Sequence, residues 1–295
     1  MTVQTFDPAK VLVSEKKDGK FYGKFTDIIM KEVAENSLVM QLGRYIEMDG
    51  KQEKKFTIQT DGVSAYWVNE TEKIKTDKPE LIEATLVAKK LGIILVASRE
   101  ALNYTWQRFF DEMKPQIVDA FYKKIDEAGL LGVENPFANS VTKVATDSGA
   151  VIQGPINYEN ILKLEEKLYE NDIEPNAFVS KVQNRPALRE ARDGDKKTIY
   201  DKSNNTLDGI IVTDMKSKQL KKGDLIAGNF DHLVYGVPYN ITYKISEEGQ
   251  ISTMKNSDDT PINLFEQEMI AIRATMDVGV LVIKDKAFAK LTASI

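Results

Sequence analysis

The chain has 295 residues, of which 42% are hydrophobic and 29% are charged, as in a soluble globular protein with two domains or one elaborated domain. The net charge is only -5, and basic residues alternate with acidic ones, which argues against a dedicated nucleic-acid-binding protein. Cysteine is absent, which excludes disulfide bonds and thiolate metal sites. Neither a signal peptide nor an apolar run of about 18 residues is encoded, so we expect a cytoplasm-like compartment.

The N-terminal quarter of the chain predicts an arm, a short helix and a hairpin. Residues 1–24 are charged and lack periodic apolar positions, which indicates an extended arm. Thr26 or Asp27 can then cap a short helix that ends near Asn36. Residues 39–60 alternate with a period of two, and Asp49-Gly50 predicts a hairpin between the segments on either side of it.

Residues 61–80 form a long polar stretch that predicts a functional loop, since loops of this length are uncommon in compact domains. The stretch carries Lys73, Lys75 and Lys78. It also carries the aromatic pair Tyr66 and Trp67, for which the chain offers no local partner. Trp67 packs either on its own domain or on an external partner, and the sequence leaves both alternatives open.

The next two segments predict a strand and a long helix. Residues 83–96 alternate and then become continuously apolar, which predicts a returning strand in a buried sheet. Residues 103–129 repeat apolar positions at spacings of three and four, so we expect a helical spine of about 40 Å. Pro115 removes the bond to the carbonyl of Asp111, which predicts a kink or a break into two helices. Gly129, followed by Leu130, Leu131 and Gly132, supplies a stop. The alternative is a core helix of an α+β enzyme.

The segments after the spine indicate a second architecture. Residues 136–154 are rich in loop signals. Strand and helix patterns then alternate in a small α/β domain at about 137–229. Its predicted elements are a helix at 157–171, a strand at 177–180, a helix at 185–191 and a strand at 207–213.

The C-terminal segments predict strands that return to the first domain. Residues 229–246 read as a strand pair with a bend at Gly236 and Pro238, and residues 264–283 read as one long strand. Asp285 can cap a closing turn, KAFAKL. Because strands after the middle domain must pair with the first one, we expect the first domain to be discontinuous in sequence.

The chemistry-bearing residues do not form a recognisable catalytic set. Ser98 lacks a GxSxG elbow, and His232, the only histidine, has no second metal ligand nearby. The pairs Asp126-Glu127 and Asp258-Asp259 are adjacent on a helix surface or in a turn, which is no evidence of convergence. Phosphate-binding glycine motifs are also absent from the sequence. We therefore predict no catalytic residue, metal or cofactor, and these features favour assembly over catalysis.

Seven stretches of the sequence are similar to a known protein family, and they occur in the same order along the chain. These stretches are DIIMKEVAENSLVMQLGRY, AYWVNETEKIKTDKP, LVAKKLGIILVASREALN, FYKKIDEAGLLGVENPF, AGNFDHLVYGV, LFEQEMIAIRATMDVGVLV and KAFAKL. In this order and spacing, the chain resembles the major capsid proteins of tailed bacteriophages of the Hong Kong 97 type. The resemblance covers nearly the full length, and it is strongest to capsid proteins from phages of Gram-positive hosts.

The resemblance implies an α+β fold with four parts. These are an N-terminal arm (1–25), an extended E-loop (48–86), a peripheral domain with the spine (26–47, 87–136 and 230–275), and an axial domain (137–229 and 276–295). In this family, hexamers and pentamers form icosahedral shells around double-stranded DNA. The implied location is the virion, with assembly in the host cytoplasm. Tyr66, Trp67, Lys73, Lys75 and Lys78 then become candidates for contacts between subunits, and Pro115 for a bend in the spine.

The implied partners are further copies of the chain, a separate scaffolding protein, a portal protein and packaged DNA without sequence-specific binding, and no membrane is implied. We expect a separate scaffold because family-like sequence begins by Asp27, after a segment too short for a fused scaffolding domain. Some family members crosslink E-loop lysines to asparagines, but no acceptor is identifiable, so no crosslink is predicted. The alternatives are an encapsulin-like compartment shell, in which a cargo-linked helix replaces the charged arm, and an unrelated enzyme.

Overall fold

The computed structural model describes residues 30–59, 68, 73, 81–98, 106–256 and 260–293. Within these ranges the chain forms two large sheets and two small two-stranded ribbons, together with helices, so the α+β fold is confirmed. The helices are residues 30–36 (α1), Leu38–Leu42 (α2), Trp106–Asp126 (α3), Val141–Asp147 (α4), Tyr158–Tyr169 (α5) and Arg185–Glu190 (α6), with a π turn at Glu127–Leu131 and 3-10 turns at Val182–Asn184 and Phe230–His232.

The first sheet is built around one long strand. Its strands are Arg44–Tyr45 (β1), Lys89–Ser98 (β4), Leu233–Gly236 (β11), Thr242–Ser246 (β12) and Met269–Val282 (β15). β15 pairs antiparallel with β4 over ten residue pairs, from Met269 opposite Ser98 to Val278 opposite Lys89. The chain leaves this sheet after β4 and returns to it at β11, so the predicted return of the late strands is confirmed.

The second sheet collects the middle of the chain and its C-terminal strand. In spatial order its strands are Val151–Gln153 (β5), Phe288–Thr292 (β16), Leu225–Gly228 (β10), Ala177–Ser180 (β6), Ile210–Asp214 (β9), Thr206–Leu207 (β8) and Tyr200–Asp201 (β7). Helices α4 and α5 contact β16. The core beneath them includes Phe178 and an edge-to-face pair of Phe230 and Phe288, whose ring centroids lie 5.2 Å apart. The amphipathic helix α5 forms as predicted, with Asn157 as its cap.

The two small ribbons project from the first sheet region. One pairs Glu53–Gln59 (β2) with Leu81–Val87 (β3), and we call it the long ribbon. The other pairs Gln250–Lys255 (β13) with Pro261–Asn263 (β14). In the described part of the chain, none of the helices is long and apolar enough to cross a membrane.

The spine helix, α3, is continuous from Trp106 to Asp126, so the predicted break at Pro115 does not occur. The bend at Pro115 stays a prediction. Gly129 does not end the helix, because the chain passes through it in the π turn. A Cβ at Gly129 would lie 2.9 Å from a methyl carbon of Val39, so this glycine permits close packing. The helical run ends at Gly132, whose φ of 72° is left-handed.

The hairpin predicted at Asp49-Gly50 is wrong in its pairing, although the turn itself forms. Both residues have positive φ, and the amide of Lys51 donates to the carbonyl of Met48 at 2.9 Å. However, β1 before the turn pairs with β11, and β2 after it pairs with β3. Met48 is fully buried against the first sheet, so a nonlocal contact decides the path of the segment.

The segment 83–96, predicted as one strand, is divided at Ala88 between β3 and β4, and β4 is not buried on both faces. Leu91, Ile93 and Leu95 pack against the main core, whereas the alternate residue Ile94 is 49% exposed. β4 is paired only to β15 among the described strands, so it lies at an edge of the sheet. A continuous apolar run therefore does not show here that both faces of the strand are covered by the same chain.

Two predictions for the middle of the chain need correction. The loop-rich stretch 136–154 contains helix α4, because Ser140 caps it and Val141, Val144 and Ala145 supply a buried face. The single strand predicted at 207–213 is two strands, β8 and β9, which meet at a tight turn. Asp208 and Gly209 both have positive φ there, a conformation typical of a two-residue hairpin.

Two predictions for the C-terminal part also need correction. The strands in 229–246 do not pair with each other, since β11 and β12 follow one another along β15. The segment after Asp285 is not a closing turn but strand β16, which lies between β5 and β10. Phe288, Ala289 and Leu291 are fully buried in it, so burial within a sheet overrides the weak local signal.

Candidate assembly surfaces

The predicted contact residues lie mostly outside the described residues. This is the case for Tyr66, Trp67, Lys75 and Lys78. Lys73 is described and is exposed, as is Val68. Pro115 is exposed on the spine helix. The structure therefore places two of the six predicted residues, both on the surface, and leaves the aromatic pair untested.

The long ribbon presents apolar side chains to solvent in the single chain. Leu81 is 59% exposed and Ile82 is 51% exposed. The ribbon is regular, with seven residue pairs from Glu53 opposite Val87 to Gln59 opposite Leu81. A two-stranded ribbon alone is at best marginally stable, so apolar residues left uncovered on it mark a surface that gains stability from a partner.

The base of the long ribbon is anchored to the first sheet. Met48, Leu86, Ala88 and Val234 form a separate buried cluster there. A Cβ at Gly236 would lie 2.7 Å from the Cγ of Met48, so only glycine lets these side chains approach the strand. The ribbon is thus fixed at its base while its far part carries exposed apolar residues, which is the arrangement expected of an arm that reaches a neighbour.

Asp126, at the end of the spine helix, is a buried residue that the sequence prediction placed at the surface. It is 3% exposed. Its Oδ1 accepts from the hydroxyl of Ser37 at 2.7 Å and from the amide of Val39 at 3.1 Å, and its Oδ2 accepts from the amide of Leu38 at 3.0 Å. Asp126 thereby satisfies the first amides of α2, which have no partner inside that helix.

Burial of Asp126 is also visible in its acidity. Desolvation raises the pKa of this carboxyl from 3.8 to about 6, and the bonds from Leu38, Ser37 and Val39 oppose that rise in part. A signal for this position existed in the sequence. Asp126 follows Tyr122 by four residues, so it lies on the same apolar side of the helix as Tyr122.

Glu127 has different partners from its neighbour Asp126. Its Oε1 accepts from the hydroxyl of Ser217 at 2.6 Å, and its Oε2 lies 3.9 Å from the ammonium of Lys124. Ser217 lies in the loop between β9 and β10 of the second sheet. The adjacent acids therefore connect the end of the spine helix to α2 and to the second sheet, and they do not converge as a catalytic pair.

Burial also shifts the pKa of titratable groups elsewhere in the chain. Burial raises the pKa of Glu165 on α5 to about 7, with a smaller effect from Asp208. His232 is partly buried, and desolvation lowers its pKa. No group of three or more metal-ligating side chains occurs among the residues described. These residues do not assemble a site for acid-base or metal chemistry, so the exposed apolar ribbon is the strongest candidate functional surface.

Comparison with known proteins identifies the relatives of this chain. The model of the phage capsid family matches residues 23–293. The major capsid protein of Staphylococcus phage 80alpha is 51% identical over 98% of this chain and 89% of its own length. The probable major capsid protein gp17 of Mycobacterium phage D29 is 22% identical over 88% of this chain and 86% of its own length.

Solved structures share the fold at lower sequence identity. A structure from Microbacterium phage Oxtober96 matches with a TM-score of 0.72 at 19% identity, and covers 88% of this chain and 91% of the other. A structure from Mycobacterium phage Adephagia matches with a TM-score of 0.70 at 20% identity over the same shares.

Proposed function

The chain belongs to the phage capsid family and is a structural shell protein of a tailed phage, and from this premise we propose that its copies form hexamers and pentamers that close an icosahedral head around double-stranded DNA. The match to the family over residues 23–293 carries this conclusion. The phage relatives favour it over the encapsulin-like alternative. We also propose that the role of the chain in the virion is structural and not catalytic.

The two sheets support an assignment of family domains. We propose that the first sheet and the spine helix form the peripheral domain, the second sheet the axial domain, residues 48–86 the E-loop, and residues 1–25 the arm. The resemblance implied a domain boundary at 275. However, β15 pairs with β11 as far as Val282, so we place this boundary after β15.

We propose that the long ribbon packs on a neighbouring subunit in the shell. Leu81 and Ile82 supply exposed apolar surface on the ribbon, and Tyr66 and Trp67 lie in the sequence segment between its two strands. Full burial of one such aliphatic side chain contributes about 1.5 to 3 kcal/mol. A shell repeats the contact at every subunit, so a small contribution per contact has a large effect on assembly.

We propose a separate scaffolding protein and a portal protein as further partners, with assembly in the host cytoplasm. Support for the scaffold comes from the nature of the contacts. Hexamers and pentamers use the same surfaces in slightly different geometries, so subunit contacts alone leave several closed and open forms close in energy. A template that favours one curvature removes that ambiguity. Capsomers without it are expected to form shells of mixed size.

Electron microscopy of the purified chain tests the proposed assembly. We expect capsomers, tubes or mixed shells from the chain alone, and uniform shells when the scaffolding protein of the same phage is co-expressed. A chain that stays monomeric in both cases contradicts the assignment. Uniform shells of virion size from the chain alone contradict the need for a scaffold.

A paired substitution tests the ribbon as the contact. The double variant Leu81→Ser and Ile82→Ser removes apolar groups that are exposed in the single chain, so it should fold normally and yield few shells. Val182→Ser, at a residue that is 55% exposed elsewhere, is the matched control and should assemble as the wild type does. Normal shell yields from the double variant would exclude the ribbon surface as a major contact.

A further inference from the structure

A short loop between β9 and β10 concentrates positive charge on the surface of the second sheet region. We call residues 216–222 the lysine loop, and its exposed residues include Lys216, Lys218, Lys221 and Lys222. None of these four lysines forms an ion pair within the residues that the structure describes. The acids that flank the loop are engaged elsewhere, since Asp214 binds Arg185 and Asp224 lies 3.2 Å from the ammonium of Lys290.

The backbone of the lysine loop is held by buried polar contacts. Ser217 is buried and donates to Glu127 on the π turn at 2.6 Å, and the amide of Gln219 donates to the hydroxyl of Ser217 at 3.0 Å. The ammonium of Lys181 donates to the carbonyl of Leu220 at 2.6 Å. The loop is therefore ordered by Ser217, Leu220 and their partners, while its four lysines are exposed.

The end of the loop is fixed in the same way. The side chain of Asn184 is buried, accepts from the amide of Gly223 at 2.7 Å and donates to the carbonyl of Asp224 at 2.8 Å. Four like charges on a fixed frame repel one another, and a bound polyanion would relieve that repulsion. Because the loop is already ordered, it loses less conformational entropy when it binds a polyanion.

The loop also adjoins cations on the spine helix. The ammonium of Lys216 lies 6.0 Å from the ring centroid of Tyr122, and that of Lys123 lies 5.8 Å from the same centroid. Asp119 is paired with Lys123, and its pKa is also lowered by the charge of Lys216, so Asp119 offsets part of the positive charge here. The local excess of positive charge thus rests on the loop itself, in a chain whose net charge is -5.

We propose that the lysine loop binds the phosphate backbone of double-stranded DNA, without recognition of bases. This inference rests on the proposed function. Lysine provides a strongly hydrated point charge and not a planar fork, so it suits phosphate contact without sequence preference. The one large apolar residue of the loop, Leu220, is fully buried. An acidic protein segment would be expected to use apolar contacts as well, and this favours nucleic acid over protein.

The test compares two variants with the same net charge. The loop variant replaces Lys216, Lys218, Lys221 and Lys222 with Gln. The control variant replaces four other exposed lysines outside the ion pairs described above, Lys51, Lys143, Lys163 and Lys202, with Gln. The probe is a labelled random-sequence DNA duplex, and its affinity for the unassembled full-length chain is measured at several salt concentrations.

The expected result is a change in salt dependence for the loop variant only. Each neutralised phosphate contact contributes about 0.9 to the slope of log K against log salt, so the slope should fall by about 3 to 4. A double variant of Lys218 and Lys221 should lose about half of this. Equal slopes for the loop and control variants would overturn the proposal, and so would a loop variant that loses binding to poly-glutamate but keeps binding to DNA.

Shell formation separates this proposal from the proposed function. Both variants should still form shells under the conditions that give shells from the wild type, because the loop binds DNA in this proposal and does not contact another subunit. A loop variant that binds DNA normally and fails to assemble would show that the loop is a contact between subunits, which overturns the inference. A wild-type chain that binds DNA through the loop but never assembles would contradict the shell function alone.

Discussion

Replacement of Asp126 should destabilise the chain strongly although this residue takes part in no catalysis. Its carboxylate is the acceptor for three donors, the hydroxyl of Ser37 and the amides of Leu38 and Val39. In Asp126→Ala these donors stay buried without a partner. Each unsatisfied buried donor costs about 1 to 3 kcal/mol. We expect the free energy of unfolding at pH 7 to fall by about 3 to 5 kcal/mol.

The same residue predicts how stability depends on pH. Burial raises the pKa of Asp126 from 3.8 to about 6, so between these values the folded chain binds more protons than the unfolded chain. This contribution to stability is fully present below pH 3.8 and is lost as the pH rises through about 6. The slope approaches about 1.4 kcal/mol per pH unit only below the folded-state pKa of about 6. The contribution is therefore about 1 kcal/mol between pH 7 and pH 5.

Asp126→Asn isolates the pH effect, because it keeps one acceptor oxygen and cannot titrate. It should lose less stability than Asp126→Ala. Relative to it, the wild type should gain about 1 kcal/mol between pH 7 and pH 5. Glu165, whose pKa is also raised, titrates in both proteins and cancels in this comparison. Asp119→Asn, at an exposed position of the same helix, is the matched control and should change stability by less than about 0.5 kcal/mol.

Urea denaturation of the unassembled full-length chain at fixed protein concentration measures these differences. A loss below 1 kcal/mol for Asp126→Ala would show that water or a shifted α2 replaces the carboxylate, and would refute the argument from burial. Equal pH dependence for the wild type and Asp126→Asn would refute the assignment of the titration to Asp126.

Three further changes have defined outcomes. Gly132→Ala should lower the free energy of unfolding by about 2 to 3 kcal/mol, since a Cβ there would lie 2.6 Å from the Oγ of Ser140. Gly149→Ala, at a similar φ in open space, is the control and should lower it by about 1 kcal/mol, with both variants measured by thermal denaturation. Trp67→Ala should give a folded chain that assembles poorly, because burial of an indole contributes roughly 2 to 3 kcal/mol at each subunit contact, and shell yields equal to the wild type would defeat this prediction. Pro115→Ala should stabilise the unassembled chain by about 1 to 3 kcal/mol and broaden the range of shell sizes seen by microscopy. Shells as uniform as those of the wild type would count against a helix bend that adapts the subunit to shell curvature.

The longest helices and the longest strand of this protein were predictable from its sequence, whereas α2 and α4 were not, because residues 39–60 indicated strands and residues 136–154 indicated loops. The spine helix and α5 have apolar periods long enough to show which side is buried, and β15 has a long run of strand-forming residues. The ordered stretches that resemble phage capsid proteins identified the family, and the comparisons confirm it. Local pattern and cap chemistry act over a few residues, so they can be read directly from the chain.

Strand pairing was decided by the tertiary structure. The turn at Asp49-Gly50 is local and was predicted, but its flanking segments pair with β11 and β3 because Met48 packs against Leu86 and Val234. The C-terminal segment becomes β16 because a gap between β5 and β10 is filled by its buried side chains. For the single side chain Asp126, too, the sequence determines the local position and the tertiary structure determines the contacts. Its helical phase is fixed by the sequence, whereas its three hydrogen-bond donors lie 87 to 89 residues away along the chain and meet it only in the folded protein.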